Sequence, residues 1–203
     1  MKILILDYGM GNISSLVNAF KYLDIHDVLV SSRADDLRKS DRLILPGVGN
    51  FSTAARKALD IKLDEALSEE VLIRKKPILG VCLGMQLLGL SSTEGGSNVG
   101  LGFVSGSVDK FQTNSLRVPH VGYNQVKPHA SSRLYQGLGN DPDFYFTHSY
   151  RMLSEEDIGQ SLTLYGEEFI ASFEIDNIAG VQFHPELSQT NGLKLLNNFI
   201  ELF

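Results

Sequence analysis

The sequence is short of the features that mark several broad classes of protein. Cys82 is its only cysteine in 203 residues, so no disulfide can close within the chain. That usage fits a reducing compartment. Basic residues nowhere accumulate, and the net charge is −6. A nucleic-acid binder needs a basic stripe to displace counterions from phosphates, so no nucleic-acid partner is expected. Long apolar runs are missing as well. Residues 3–6 are apolar, but Asp7 ends the run, which is too short for a membrane span or for the apolar region of a signal peptide. The segment reads as a buried first strand, and a cytoplasmic chain with no membrane partner is expected. None of the five histidines (His26, His120, His129, His148 and His184) stands at metal-ligand spacing from Cys82 or from another histidine, so no metal site is expected. His26 and His129 lie in polar turns and read as solvated.

What is present is ordinary globular composition, 43% hydrophobic and 21% charged. The length suits a single domain, 1–203, able to bury roughly 70% of its unfolded surface. Apolar strand-like runs at 3–6, 28–30, 43–45 and 77–81 alternate with amphipathic stretches. Residues 12–23 place Ile13, Leu16, Val17, Phe20 and Leu23 at helical spacing, with Asn12 or Gly11 as cap. A second helical stretch runs from Ala54 to Val71, and a third covers 83–90. This alternation, with strands apolar throughout, predicts an α/β fold with a parallel sheet covered on both faces. The second half is richer in Gly, Ser and Asn over 94–106. It carries shorter strand-like pieces at 106–111, 144–146, 169–173 and 178–183, several of them suited to antiparallel pairing, before a closing helix over 192–203.

Gly80-Val81-Cys82-Leu83-Gly84 has the Gly-x-nucleophile-x-Gly form, follows an apolar strand and opens a helix. That is the setting of a nucleophile elbow. Its glycines permit a tight, strained turn that lifts the thiol to the carboxyl edge of the sheet, where ligands bind in such folds. The helix N-terminus favours thiolate there, and the Leu83 N–H is placed to stabilise an oxyanion. A lone cysteine is more often a small buried hydrophobe, but the elbow argues against that reading. A thiolate nucleophile also needs a base. His184-Pro185-Glu186 ends the apolar strand at 178–183. His184 suits the general base, and Glu186 suits the group that orients the imidazole and stabilises its cation. Pro185 fixes the turn between them. Without Cys82 the same pair would read as a solvated strand end.

Together, Gly80-Val81-Cys82-Leu83-Gly84-Met85-Gln86 and Gln182-Phe183-His184-Pro185-Glu186 resemble the class I (triad) glutamine amidotransferases. The likeness is nearer to the glutaminase subunits of imidazole glycerol phosphate synthases. Asp7-Tyr8-Gly9-Met10-Gly11-Asn12, Pro46-Gly47-Val48-Gly49, Val118-Pro119-His120-Val121-Gly122-Tyr123-Asn124 and Tyr145-Phe146-Thr147-His148-Ser149-Tyr150 also have counterparts there. The resemblance spans nearly the whole chain. It implies a flavodoxin-like class I glutamine amidotransferase fold, with a central mostly parallel sheet, helices on both faces and an additional smaller antiparallel region. It implies that Cys82 attacks the side-chain amide of glutamine. His184 protonates the departing ammonia, and water cleaves the resulting glutamyl thioester. Gly47, Val48 and Gly49, with the Leu83 N–H, are implied to hold the oxyanion. Gln86, Thr147, His148, Ser149 and Tyr150 are implied to bind glutamine, with the 147–150 segment acting mainly through its backbone. The implied partner is a (β/α)8-barrel cyclase subunit, forming a heterodimer that receives the ammonia. Asn12, Pro119, Tyr123 and Leu187 are implied to face it. No cofactor is implied.

Three departures stand out. The family's Pro-His-x-Gly is usually followed by Trp, where this chain has Tyr123. A Lys or Arg usually follows His-Pro-Glu, where Leu187 stands. Leu-Arg-Ser is common after the N-terminal Gly-Asn, where Ile13-Ser14-Ser15 stands. The resemblance puts these positions near the partner-facing surface, where ion pairs govern partner choice more than affinity. A paralogous glutaminase subunit, feeding a sugar amidotransferase in surface-polysaccharide synthesis, is the alternative destination for the ammonia. A cysteine hydrolase of another kind would need neither the His-Pro-Glu box nor Gln86. A binding module that had lost its chemistry would lack one of Cys82, His184 and Glu186. Gly9-Met10-Gly11 would need a third glycine at Ser14 to read as a dinucleotide fingerprint.

Overall fold

The computed structural model describes residues 1–112 and 116–203. In chain order its strands are β1 (Ile3–Leu6), β2 (Val28–Ser31), β3 (Arg42–Leu45), β4 (Ile78–Val81), β5 (Ser91–Ser92), β6 (Asn98–Val99), β7 (Ser107–Lys110), β8 (His120–Gln125), β9 (Asp143–His148), β10 (Tyr150–Leu153), β11 (Ser161–Tyr165), β12 (Glu167–Ile175) and β13 (Ile178–Val181). Its helices are α1 (Ile13–Tyr22), α2 (Ala34–Lys39), α3 (Phe51–Asp60), α4 (Leu63–Leu67), α5 (Leu83–Leu87) and α6 (Gln189–Leu202). The largest sheet has the order β11-β12-β13-β4-β3-β1-β2. Strands β13, β4, β3, β1 and β2 run parallel, and β11 and β12 add an antiparallel edge. A four-stranded sheet, β10-β7-β5-β6, and the antiparallel pair β8-β9 make up the smaller sheets.

The central strands are buried on both faces, so their alternating side chains feed two cores. Ile3 and Ile5 join α1 and α6 through Leu16, Phe20, Leu196 and Phe199. Leu4 and Leu6 join α2, α3 and α5 through Leu37, Phe51, Ala54 and Met85. Helices therefore cover both faces, as a mostly parallel sheet requires. Fully burying one such Leu or Ile contributes about 1.5–3 kcal/mol, which is why the buried positions of these strands are apolar.

Three expectations about the helices need correction. The stretch from Ala54 to Val71 is not one helix. Lys62 takes a left-handed backbone (φ 55°) that separates α3 from α4, and the chain then widens into a π turn over Ser68–Ile73. The break turns Leu63 and Leu67 inward, and Glu70 is buried against Lys76 at 2.9 Å. The helix expected over 83–90 stops at Leu87. A Cβ on Gly100 would stand 2.2 Å from the Gly89 carbonyl, so two backbone segments cross there. Asn12 occupies the N-cap position of α1, but its side chain makes no capping bond.

Candidate active site

The parallel register places the reactive groups. Val81 of β4 stands beside Val181 of β13, so Cys82 and the residues after Val181 leave the same sheet edge side by side. The Cys82 N–H donates to the Val181 carbonyl at 2.8 Å. At Cys82 the backbone turns sharply, with φ 53° and ψ −111°, the strained conformation of an elbow. The flanking glycines are required by close approach. A Cβ on Gly80 would meet the Met85 backbone at 2.7 Å, and one on Gly84 would meet the Leu45 carbonyl at 1.8 Å.

Beyond β13 the chain bends at Gln182 and Phe183, is extended again at His184, and then enters a short 3-10 turn, Pro185–Leu187, with Pro185 at its start. The turn brings Glu186 back to the imidazole, with His184 Nδ1 2.9 Å from Glu186 Oε1. Both side chains are almost wholly buried. This bond leaves Nε2 for the Cys82 thiol, whose proximity helps set the charge of the ring. Burial alone lowers the His184 pKa. The hydrogen bonds to Cys82 and Glu186, and the charges behind them, overcome that and raise it to about 10. The ring is therefore held as an imidazolium against the sulfur, which stabilises negative charge there. Three anchors hold the turn: the His184 N–H donates to Tyr145 O at 2.9 Å, the Ser188 hydroxyl donates to His184 O at 2.6 Å, and the Tyr145 N–H donates to Ser188 Oγ at 2.9 Å.

A cavity of about 300 Å³ opens above Cys82. Val48, Gly49, Leu83, Gln86, Thr147, His148, Ser149, Tyr150 and His184 line it with Cys82. Glu186 stands behind His184, and Gly47 lies under the elbow, where a Cβ would meet the Gly84 nitrogen at 2.7 Å. The Leu83 N–H is engaged with the Gly47 carbonyl at 3.3 Å, so an oxyanion must displace that long bond to use it.

Both ring nitrogens of His148 are occupied within the protein, Nδ1 by Tyr150 O at 2.8 Å and Nε2 by His120 Nδ1 at 3.2 Å. Burial lowers the pKa of both rings, His148 to about 3 and His120 to about 4, and both are neutral. The four residues implied to face a partner, Asn12, Pro119, Tyr123 and Leu187, are all exposed. Pro119 also lines the cavity, after a cis Val118-Pro119 bond.

Sequence reasoning missed Glu94, which also lines the cavity. One of its oxygens accepts the Phe51 N–H at the start of α3, at 2.8 Å, and the other is left for the cavity. Its only signal in the sequence is an isolated acid in a Ser/Gly-rich loop, which by itself reads as solvated. Among the described residues no three His, Cys, Asp or Glu are grouped so as to hold a metal ion, and no helix is long and apolar enough to cross a membrane.

Residues 4–202 match the family model described as glutamine amidotransferase class-I. A Campylobacter jejuni (strain RM1221) protein named imidazole glycerol phosphate synthase subunit HisH 1 is 44% identical, over 98% of this chain and 100% of its own length. Subunit HisH 2 of Vibrio vulnificus (strain YJ016) is 45% identical, over 99% of this chain and 94% of its own. Among solved structures, one titled glutamine amidotransferase superposes with a TM-score of 0.76 at 18% identity, covering 98% of this chain and 97% of that one. Another, PurLQS from Thermotoga maritima, gives 0.71 at 17% identity, covering 98% and 97%. At those identities the superpositions establish the shared fold, and the family match over nearly the full length establishes more: the chain belongs to the class I glutamine amidotransferases.

Proposed function

We propose that this chain is the glutaminase subunit of an imidazole glycerol phosphate synthase, passing ammonia to a (β/α)8-barrel cyclase partner for histidine biosynthesis. The observation that carries the reading is the buried Cys82–His184–Glu186 arrangement on a strained elbow beneath a polar cavity. The 44% and 45% identical relatives named as that subunit support the choice of synthase.

The residues suggest how each step proceeds. The Cys82 sulfur attacks the amide carbon of glutamine and forms a C–S bond. His184, already protonated, gives its proton to the departing nitrogen, and ammonia leaves. The neutral imidazole then takes a proton from water, whose oxygen attacks the thioester. Glutamate leaves and the thiolate returns. Glu186 keeps Nδ1 protonated and the ring aimed at the sulfur. Gln86 spends both N–H groups inside the protein, so its oxygen is free to accept from a donor of the substrate. Glu94 offers the carboxylate that suits the α-ammonium.

The engaged Leu83 N–H supports slow turnover by the isolated subunit. Partner binding that frees this N–H, and reorders Gly47, Val48 and Gly49, completes the oxyanion pocket. The test is glutamate release by wild-type protein and by Cys82→Ser, with and without the same organism's cyclase barrel. Stimulation by the barrel that depends on Cys82 is expected. No stimulation by a barrel that works on supplied ammonia would defeat the histidine-pathway pairing. Fast turnover unchanged by any synthase would defeat the coupling.

A further inference from the structure

Gln182 is completely buried, yet the triad chemistry assigns it no part. It follows Val181, so the parallel register sets it beside Cys82, and its side chain, like that of His184, is directed at the Cys82 sulfur. Phe183, between them, faces the other way and stacks on Phe144 at 4.0 Å.

The direction of every hydrogen bond around Gln182 is determined by one carbonyl. Tyr150 O receives His148 Nδ1 at 2.8 Å and Gln86 Nε2 at 3.0 Å. A carbonyl can only accept and has two lone pairs, so both neighbours must donate. That fixes the tautomer of His148, whose Nε2 then accepts from His120 Nδ1. It also fixes the amide of Gln86, whose second N–H goes to Gln182 Oε1 at 2.9 Å. With its oxygen spent there, Gln182 turns its NH2 to the Cys82 sulfur at 3.7 Å. Flipping the Gln182 amide would set NH2 against NH2 and oxygen against sulfur, which is worse at both ends. An N–H donor beside a buried sulfur does little for a neutral thiol and much for an anionic one.

We propose that Gln182 is a further catalytic residue, an N–H donor that joins His184 in stabilising the negative sulfur of Cys82 and is held to that task by Gln86 and Tyr150. The inference rests on Cys82 being the nucleophile of the proposed glutaminase. Its test needs neither glutamine nor partner.

The test is the rate of Cys82 alkylation by iodoacetamide, a neutral reagent, at neutral pH. Mass spectrometry reads a single adduct, since the chain has one cysteine. Gln182→Met fills similar space without the donor and is expected to slow alkylation about tenfold, as loss of a hydrogen bond to a charged group does. Gln182→Glu keeps an oxygen for Gln86 but puts a carboxylate oxygen on the sulfur, and it is expected to be slower still. The order wild type, Met, Glu identifies the donor. A role confined to spacing predicts near-wild-type alkylation by the isosteric Glu, and that result, or a wild-type rate in Met, overturns the proposal.

If neither variant folds, the Gln182 side-chain amide resonances decide. In Cys82→Ala the proton facing the sulfur is expected to shift while its geminal partner stays. An unmoved pair overturns the proposal. A protein that keeps the alkylation order but releases no glutamate sinks the glutaminase reading alone, and an active glutaminase without that order sinks this one alone.

Discussion

Tyr123 donates its phenolic O–H to the Leu187 carbonyl at 2.8 Å, tying strand β8 to the turn that carries His184 and Glu186. These are two of the positions at which the chain departs from its family's usual residues, and in the fold they are partners 64 positions apart in sequence. Both are partly exposed, and Tyr123 also meets Tyr145 edge-on at 5.6 Å. Together they form a small apolar rim beside the His184–Glu186 turn.

If that rim faces the synthase, a charge there must weaken the complex. Leu187→Asp is expected to raise the dissociation constant for the cyclase barrel at least about tenfold, the loss expected when an apolar contact is exchanged for a desolvated charge. Tyr123→Phe, which removes only the exposed hydroxyl bond, is expected to reduce stability by about 1 kcal/mol or less in urea unfolding. Unchanged barrel affinity in Leu187→Asp would place this rim outside the interface.

The charged state of His184 links stability to pH. Its folded pKa of about 10 lies above the ordinary value of 6.5. A group raised on folding stabilises fully below its unfolded pKa, and the contribution fades as pH rises through the folded one. Between about pH 6.5 and 10 the protein is therefore expected to lose stability, and Glu186→Gln, which removes one cause of the raised value, is expected to lose less over that range. Urea midpoints measured across the window check this. Equal slopes in the two proteins would show that Glu186 does not hold the proton.

The neutral pair His120 and His148 acts at the acid end. Both folded pKa values are depressed by burial, to about 4 and about 3. Below pH 6.5 the unfolded chain takes up protons that the folded chain refuses, so stability falls as pH drops toward 4, by up to about 1.4 kcal/mol per pH unit for each ring. His120→Phe can keep the stacking on Phe146 and Tyr165, and it is expected to flatten the acid limb by one proton. It leaves His148 Nε2 without its donor, at a cost of about 1–3 kcal/mol at neutral pH. An unchanged acid slope would mean that His120 titrates normally in the folded chain.

Gly192 supports the His184–Glu186 turn from behind. A Cβ there would stand 1.8 Å from the Pro185 carbonyl, so α6 packs directly on the His184–Glu186 turn. Gly-to-Ala within a helix ordinarily stabilises by about 1 kcal/mol. Gly192→Ala is expected instead to destabilise by about 3 kcal/mol and to lower glutamate release, since the turn must shift. Gly139→Ala, where nothing lies within 4 Å of the added carbon, serves as a control expected to stay within about 0.5 kcal/mol of wild type. A Gly192→Ala protein with wild-type melting and activity would refute the contact.

The central sheet could be read from the sequence because its strands are apolar on both faces. β1, β3, β4 and β13 emerge within a residue or two of the expected bounds. Other elements were hidden for local reasons. Helix α2 is six residues with four charges and has no periodicity to find. Strand β8 alternates weakly around Gly122 and Asn124 and is defined by its pairing with β9. The helix expected from Ala54 to Val71 had the right period, but periodicity does not register a single left-handed residue such as Lys62.

For the site the division is sharper. The sequence by itself singled out Cys82, His184 and Glu186, because an elbow and a His-Pro-Glu turn are local geometries written by neighbouring residues. It also determined two-sided helical cover of a mostly parallel sheet. Only the tertiary structure decided that Glu94 enters the cavity, that Pro119 lines it, that the Leu83 N–H is engaged by Gly47, and that Gln182 turns its amide to the sulfur. Each of those depends on groups far apart in the chain competing for a limited set of donors and acceptors. That competition is settled only when burial removes water as the alternative partner.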